Sequence, residues 1–379
     1  MTMVFSNARL VLPDAVLHGT LHCADGRIAA IAAGAARSPA AIDCAGDYLL
    51  PGAVDLHTDN LERQVEPRSG TRWPSRSAML AHDAHCAAAG ITTVLDALCV
   101  GDLGFDEDRT RTCLDGVADL DALLPAGLLK ADHFLHLRCE MPAPDVVDLL
   151  APLAGHPLLR LLSLMDHTPG GGQYADLPRY RAMRLRNGDA PDAIEDSIAT
   201  LQAQRQDRRG PNRRALLAVM RDKAPGVALA SHDDRTAADI AENVADGIPI
   251  AEFPVTREAA DAARAGGQKL IAGAPNLVRG GSHTGNVSVA DLLAADRVDA
   301  LASDYVPASM IEAAFLAAAR HGVALWQAVA MISAAPAAMI GLADRGRLHV
   351  GLRADLVRVR VHEGFPIVRQ VYLAGERVI

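Results

Sequence analysis

Lysine is nearly missing from this chain. Of its 37 basic residues only Lys130, Lys223 and Lys269 are lysines, and none of them closes one of the strands described below. Cysteine is sparse too. The six present (Cys23, Cys44, Cys86, Cys99, Cys113, Cys139) form no Cys-x-x-Cys pair, so they read as small buried hydrophobes in a reducing compartment. The N-terminus has no basic region followed by a long apolar run, and no apolar stretch reaches membrane-spanning length. A cytoplasmic protein with no membrane partner is therefore expected. Positive charge is not in excess: the formal net charge is −9, which argues against nucleic acid as a partner. No Gly-x-Gly-x-x-Gly follows an apolar run, which weakens a dinucleotide-binding reading.

What the chain does have is alternation. Its 379 residues, half of them hydrophobic, suffice for one large α/β domain and a small accessory one. Apolar runs at 53–57, 92–98, 134–140, 158–166, 227–232, 248–253, 269–274 and 300–304 alternate with stretches of helical spacing such as 77–89, 257–265 and 310–320. Eight strands alternating with helices predict a (β/α)8 TIM-like barrel over residues 51–344, with its active site at the strands' carboxyl ends. A doubly wound open sheet is the runner-up. Residues 1–50 and 345–379 read instead as short strands and turns, with Asp25-Gly26 a hairpin signal. Neither end can bury a core alone, so a small β-sandwich built from both termini is expected. Residues 168–226 are too long for a simple connection and rich in arginine. They read either as a solvated helical hairpin or as a lid bringing cations to an anionic substrate.

Metal-ligand residue types recur where the strands run out. His57 and Asp59 are one residue apart, so on a strand both side chains share a face. In the run 134–140, His136, Arg138 and Glu140 fall on one face and Leu135, Leu137 and Cys139 on the other. An inward row of polar groups is costly unless it serves a site. His167, His232 and Asp304 close or follow three further runs. Imidazole and carboxylate together suit zinc, manganese or iron. Singly each residue is ordinary; jointly, at the ends of five of eight strands, they point to a metal site, with Glu140 as a candidate bridge.

These residues resemble the amidohydrolase superfamily, along essentially the whole chain and including the terminal strand Gly351-Leu352-Arg353-Ala354-Asp355-Leu356-Val357. The resemblance implies that His57 and Asp59 hold a first metal, with Asp304 as ligand and proton acceptor. It implies that Glu140 bridges in place of the carboxylated lysine common in that superfamily, and that His167 and His232 hold a second ion. Longer segments, among them His57-Thr58-Asp59-Asn60-Leu61-Glu62, Leu164-Met165-Asp166-His167-Thr168-Pro169-Gly170 and Ala302-Ser303-Asp304-Tyr305-Val306-Pro307, are similar to the triphosphate diphosphatases of the carbon–phosphorus lyase pathway. That closer resemblance implies a small-molecule partner, a phosphorylated ribose phosphonate, whose 5-triphosphate is cut to the 5-phosphate and pyrophosphate.

A triphosphate needs cations. Arg63 and Arg68 follow the first strand, and Arg279-Gly280-Gly281-Ser282-His283 follows the seventh, its glycines allowing backbone N–H groups to approach phosphate oxygens. Asp304 would steer the proton of the attacking water, while Arg279, the first-loop arginines and His283 would offset charge on the leaving pyrophosphate. Two rivals remain: an amidohydrolase opening a cyclic amide or removing an acyl group, and a barrel retained as a binding subunit. The sequence leaves room for a homo-oligomer.

Overall fold

A computed structural model describes residues 2–36, 39–103, 108–282 and 285–379. Eight parallel strands run in sequence order around a barrel: β1 (Ala53–Thr58), β2 (Ile91–Val100), β3 (Asp132–Glu140), β4 (Leu159–Met165), β5 (Ala228–His232), β6 (Ile250–Glu252), β7 (Lys269–Gly273) and β8 (Ala300–Ala302). Each expected apolar run is a strand, within a few residues at either end. Closure comes at the carboxyl rim. A parallel bridge joins Thr58 to Asp304, with Asp304 N donating to the His57 carbonyl at 2.9 Å and Asp59 N to the Asp304 carbonyl at 2.7 Å. The seam therefore sets two expected ligands side by side.

The barrel wall is apolar on both faces because helices cover the outside. Alanine makes that packing close: Ala259, Ala260 and Ala263 of one helix and Ala313, Ala314 and Ala317 of another are fully buried in one cluster with β7 and β8. Inside, Leu56, Leu95, Leu161, Ile250 and Ile271 fill the barrel below the rim.

The two termini build one hydrogen-bonded sheet of eight strands. Strand Leu356–His362 near the C-terminus pairs antiparallel with Tyr48–Pro51, which in turn lies parallel to Thr2–Val11. Tyr48–Pro51 then leads straight into β1. The hairpin at Asp25-Gly26 forms as its residues predict, both with positive φ (50° and 76°). Phe5, Leu10, Leu21, Leu49, Leu356 and Tyr372 share this sheet's core, while Val357, Val359 and Val371 pack into the barrel's helical layer. Among the described residues no helix is long and apolar enough to cross a membrane.

Residues 168–226 carry a 3-10 turn (Gly172–Tyr174) and two helices (Leu177–Arg186 and Pro191–Lys223). Arg181 pairs within the insertion, with Glu195, whereas Arg205, Arg209 and the buried Arg213 tie it to the barrel through Asp166, Glu242 and Asp246. What the insertion sends toward the rim is Gln173 and Tyr174.

Candidate active site

Three strand exits turn through a left-handed residue that is not glycine: Asp233 after β5 (φ 57°), Phe253 after β6 (φ 54°) and Asp304 after β8 (φ 54°). Such backbone costs on the order of 1–3 kcal/mol unless its surroundings fix it. Here each kinked residue donates its N–H to a neighbouring strand: Asp233 to the Glu252 carbonyl at 3.0 Å, Phe253 to Ile271 at 2.9 Å, Asp304 to His57 at 2.9 Å. The kinks aim these side chains into a cleft at the rim that encloses about 1100 Å³ of space continuous with solvent.

Two groups of ligand atoms meet in that cleft. His57, Asp59 and Asp304 form one, and His167, His232 and Asp233 the other, the atoms of each lying within 4.8 Å of one another. They adjoin, with the His57 and His232 rings 5.6 Å apart and the His167 and His232 rings 5.7 Å apart. Carboxylates fix the imidazoles from behind. His57 Nδ1 donates to Glu252 Oε1 at 3.0 Å, leaving Nε2 beside Asp59 Oδ1 at 3.3 Å. Below the rim, His136 Nδ1 donates to the Leu56 carbonyl at 2.9 Å, and Nε2 accepts from the Ser163 hydroxyl at 2.8 Å. Burial pushes the His136 pKa down to about 3, so this ring stays neutral.

The expected bridge takes a different place. Both oxygens of Glu140 are occupied by His167, Oε2 by its Nδ1 at 2.7 Å and Oε1 by its backbone N–H at 2.9 Å. Glu140 therefore stands behind His167 rather than between two ligand groups, and the carboxylate beside His167 and His232 is that of Asp233. Arg63 and Arg68 lie outside the cleft as well: Arg63 Nη1 donates to the Tyr305 carbonyl at 3.1 Å, and Arg68 is exposed in a turn bridged to Thr71. Arg279 and Ser282 do line the cleft. Gly280 and Gly281 follow with φ of 77° and 152°, which a side chain would strain. His283 falls outside the described residues.

Two cations that the sequence reading did not place are Arg109 and Arg138, both in the cleft wall. Arg138 lay in the inward row of β3 and its burial follows that alternation. Arg109 begins a polar helix, Asp108–Leu123, with nothing in its neighbourhood to single it out.

The electrostatics suit a cation. Asp59 is partly buried, which opposes its charge, yet Arg138 at 2.9 Å and His57 keep its pKa below the usual carboxylate range. Burial and then the Asp59 charge push Asp304 up to about 7. Glu252, despite burial, is held down to about 2, chiefly by the charge and hydrogen bond of His57. The donor set also fits a divalent ion by its unmet bonds: His232 Nε2 and Glu252 Oε2 are buried without a hydrogen bond, and His232 Nδ1 and Asp233 Oδ2 have only each other, at 3.1 Å. Groups like these are otherwise satisfied in folded proteins. Imidazole with carboxylate is a combination that zinc and manganese accept.

An alpha-D-ribose 1-methylphosphonate 5-triphosphate diphosphatase of Escherichia coli (strain K12) is 41% identical over 382 residues, covering 99% of this chain and all of that protein. The chain belongs to this diphosphatase family. A D-hydantoinase of Ralstonia pickettii is 29% identical over 212 residues, 52% of this chain and 43% of that one. Solved structures place the family's fold among the amidohydrolases. An N-acetyl-D-glucosamine-6-phosphate deacetylase from Mycobacterium smegmatis superposes with a TM-score of 0.64 at 19% identity over the full length of both chains. A D-hydantoinase gives 0.60 at 17% identity, covering all of this chain and 95% of the other. No family model matches the chain. As a member of this diphosphatase family the chain is a hydrolase with a histidine–carboxylate cluster suited to divalent metal.

Proposed function

We propose that this chain hydrolyses alpha-D-ribose 1-methylphosphonate 5-triphosphate to the 5-phosphate and pyrophosphate, using one or two divalent ions, zinc or manganese. The observation that carries the reading is the meeting of Arg109, Arg138 and Arg279 in the same cleft as the two ligand groups. Glu62 and Asp59 engage only part of Arg109 and Arg138, so the three guanidiniums keep N–H donors that a phosphorylated, phosphonate-bearing substrate can use and an uncharged amide cannot.

His57, Asp59 and Asp304 would hold one ion and His167, His232 and Asp233 the other, with Glu252 and Glu140 fixing two of the rings. A divalent ion so held supplies Lewis acidity, making water acidic near neutral pH and shielding phosphoryl charge. Asp304 is the proton acceptor. Its Oδ2 lies next to Gly273, where a methyl group would stand 3.7 Å away. Tyr174 packs beside His167 and Phe253 beside His232, and both line the cleft.

Phosphorus NMR of the purified protein with the 5-triphosphate tests this, with manganese, zinc or a chelator added. Pyrophosphate rather than single phosphates should appear, only with metal. Asp304→Asn should lower turnover about 10²–10⁴-fold with an unchanged circular dichroism spectrum. Turnover of hydantoin-like amides with no cleavage of the triphosphate would replace this reading with the amidohydrolase one.

A further inference from the structure

We infer that the cleft is divided by substrate chemistry. Arg109 and Arg138, held in place by Glu62, receive the departing pyrophosphate, whereas Arg279 and its neighbours receive the sugar with its methylphosphonate. The inference deepens the proposed function and rests on it for the identity of the two products.

The observation behind it is a three-residue device on the β1–β3 side of the rim. Glu62 sits on the short helix Asn60–Val65 that follows β1. Its Oε1 is 3.3 Å from Arg138 Nη2 and its Oε2 is 3.5 Å from Arg109 Nη2. One carboxylate thus parks two guanidiniums against each other that would otherwise repel. Each arginine has five N–H donors and gives only a few of them to these contacts. The Nε of Arg138, a side chain 4% exposed, is buried with no hydrogen bond. A buried guanidinium with a free donor in a cleft wall is organised for an anion that arrives later. Arg138 Nη2 also lies 2.9 Å from Asp59 Oδ1. Phosphates next in line after the one at the metal ligands would therefore meet Arg138 first and Arg109 beyond it.

The opposite wall has other chemistry. Arg279 is joined there by Asn286 and the aliphatic Val287 and Leu292, while Asn276 fixes this wall by donating to the Val287 carbonyl and accepting from Val289 N. One cation with amides and methyl groups matches a ribose ring carrying a single methylphosphonate. Two cations match pyrophosphate, the more highly charged product. This reverses the role the sequence suggested for Arg279.

The two products separate the walls without any turnover. Metal-loaded protein is titrated calorimetrically with inorganic pyrophosphate, and separately with ribose 1-methylphosphonate 5-phosphate. Glu62→Gln and Arg109→Ala should each weaken pyrophosphate at least tenfold and leave the sugar product within about twofold. Arg279→Ala should show the reverse pattern. Metal content, measured on the same samples, should be equal in all variants. Equal losses for both ligands in every variant, unchanged pyrophosphate affinity in Glu62→Gln and Arg109→Ala, or no pyrophosphate binding to the wild type would each overturn the division. A protein whose pyrophosphate binding depends on Arg109 and on its positioning by Glu62, yet which fails to cleave the triphosphate, would sink the proposed function and leave the anion clamp standing.

Discussion

Glu252 is fully buried at the end of β6, with Oε1 on His57 and Oε2 making no hydrogen bond. Its charge orients the His57 ring and helps to balance a cation at the rim, so Glu252→Gln, nearly the same shape, isolates that charge. We expect it to lower metal affinity or turnover about 10–100-fold, read by metal analysis after dialysis alongside pyrophosphate release; full occupancy and full rate would remove Glu252 from the site. A second buried network lies between helix Ser75–Ala88 and strands β2 and β3. Asn60 donates to His82 Nδ1 at 2.8 Å, His82 Nε2 to Asp96 at 2.7 Å, and His133 donates to Asp96 at 2.9 Å and Asp83 at 3.3 Å. Here every ring nitrogen is bonded. Burial opposes a charge on His133, but Asp96 and Asp83 prevail and raise its pKa to about 10. A pKa raised on folding adds stability that is complete below the unfolded value near 6.5 and disappears as pH climbs through the folded value. The melting temperature should therefore fall between about pH 6.5 and 10, and His133→Gln should flatten that fall. Parallel curves for the two proteins would dismiss His133 as its source.

At the scale of elements, the exits of β5, β6 and β8 explain what could be read from the sequence and what could not. Period-two alternation placed His136, Arg138 and Glu140 on one inward row, because side-chain direction along a strand is local. The eight strands were legible for the same reason. That Glu140 is taken up by His167 depends on the path of the loop after β4, and that Asp233 takes the open place depends on a left-handed kink held by a neighbouring strand. No local pattern encodes those bonds. Arg109 was illegible because its partner Glu62 is distant in sequence. The Asp233 loop is also tied down from its helix side. Asn243 of helix Ala237–Ala245 donates to Asp234 at 2.8 Å, and that helix begins with a capping box in which Thr236 Oγ1 accepts from Asp239 N. Thr236→Ala should cost about 1 kcal/mol in denaturant unfolding. If the loop depends on that helix start, metal affinity will drop too; a stability loss without any change in metal binding would show that Asn243 holds Asp234 unaided.

On the scale of the whole molecule, the reactive rim and the terminal sheet sit at different ends of the strands. Asp132, at the start of β3, accepts from Arg345 Nη1 at 2.6 Å and from Arg353 Nη1 at 2.5 Å. Arg353 also pairs with Asp355, and the Asp355 carbonyl accepts from Gly52 N at 2.8 Å, just before β1. This network fastens the C-terminal segment to the amino end of the barrel, and Arg345 is only 8% exposed. Removing the shared anion leaves the buried Arg345 guanidinium with Asp344 and the Thr93 hydroxyl. Since Asp132 itself is partly exposed, the loss should fall below that of a fully buried pair. We expect Asp132→Ala to destabilise unfolding by about 1–3 kcal/mol. β3 carries Asp132 at one end and Arg138 and Glu140 at the other, so a rigid strand predicts that kcat/KM at 25 °C stays within about twofold of wild type. A large fall in kcat/KM at a temperature where the variant remains folded would mean that strain passes along β3, and that the terminal sheet helps to set the position of Arg138.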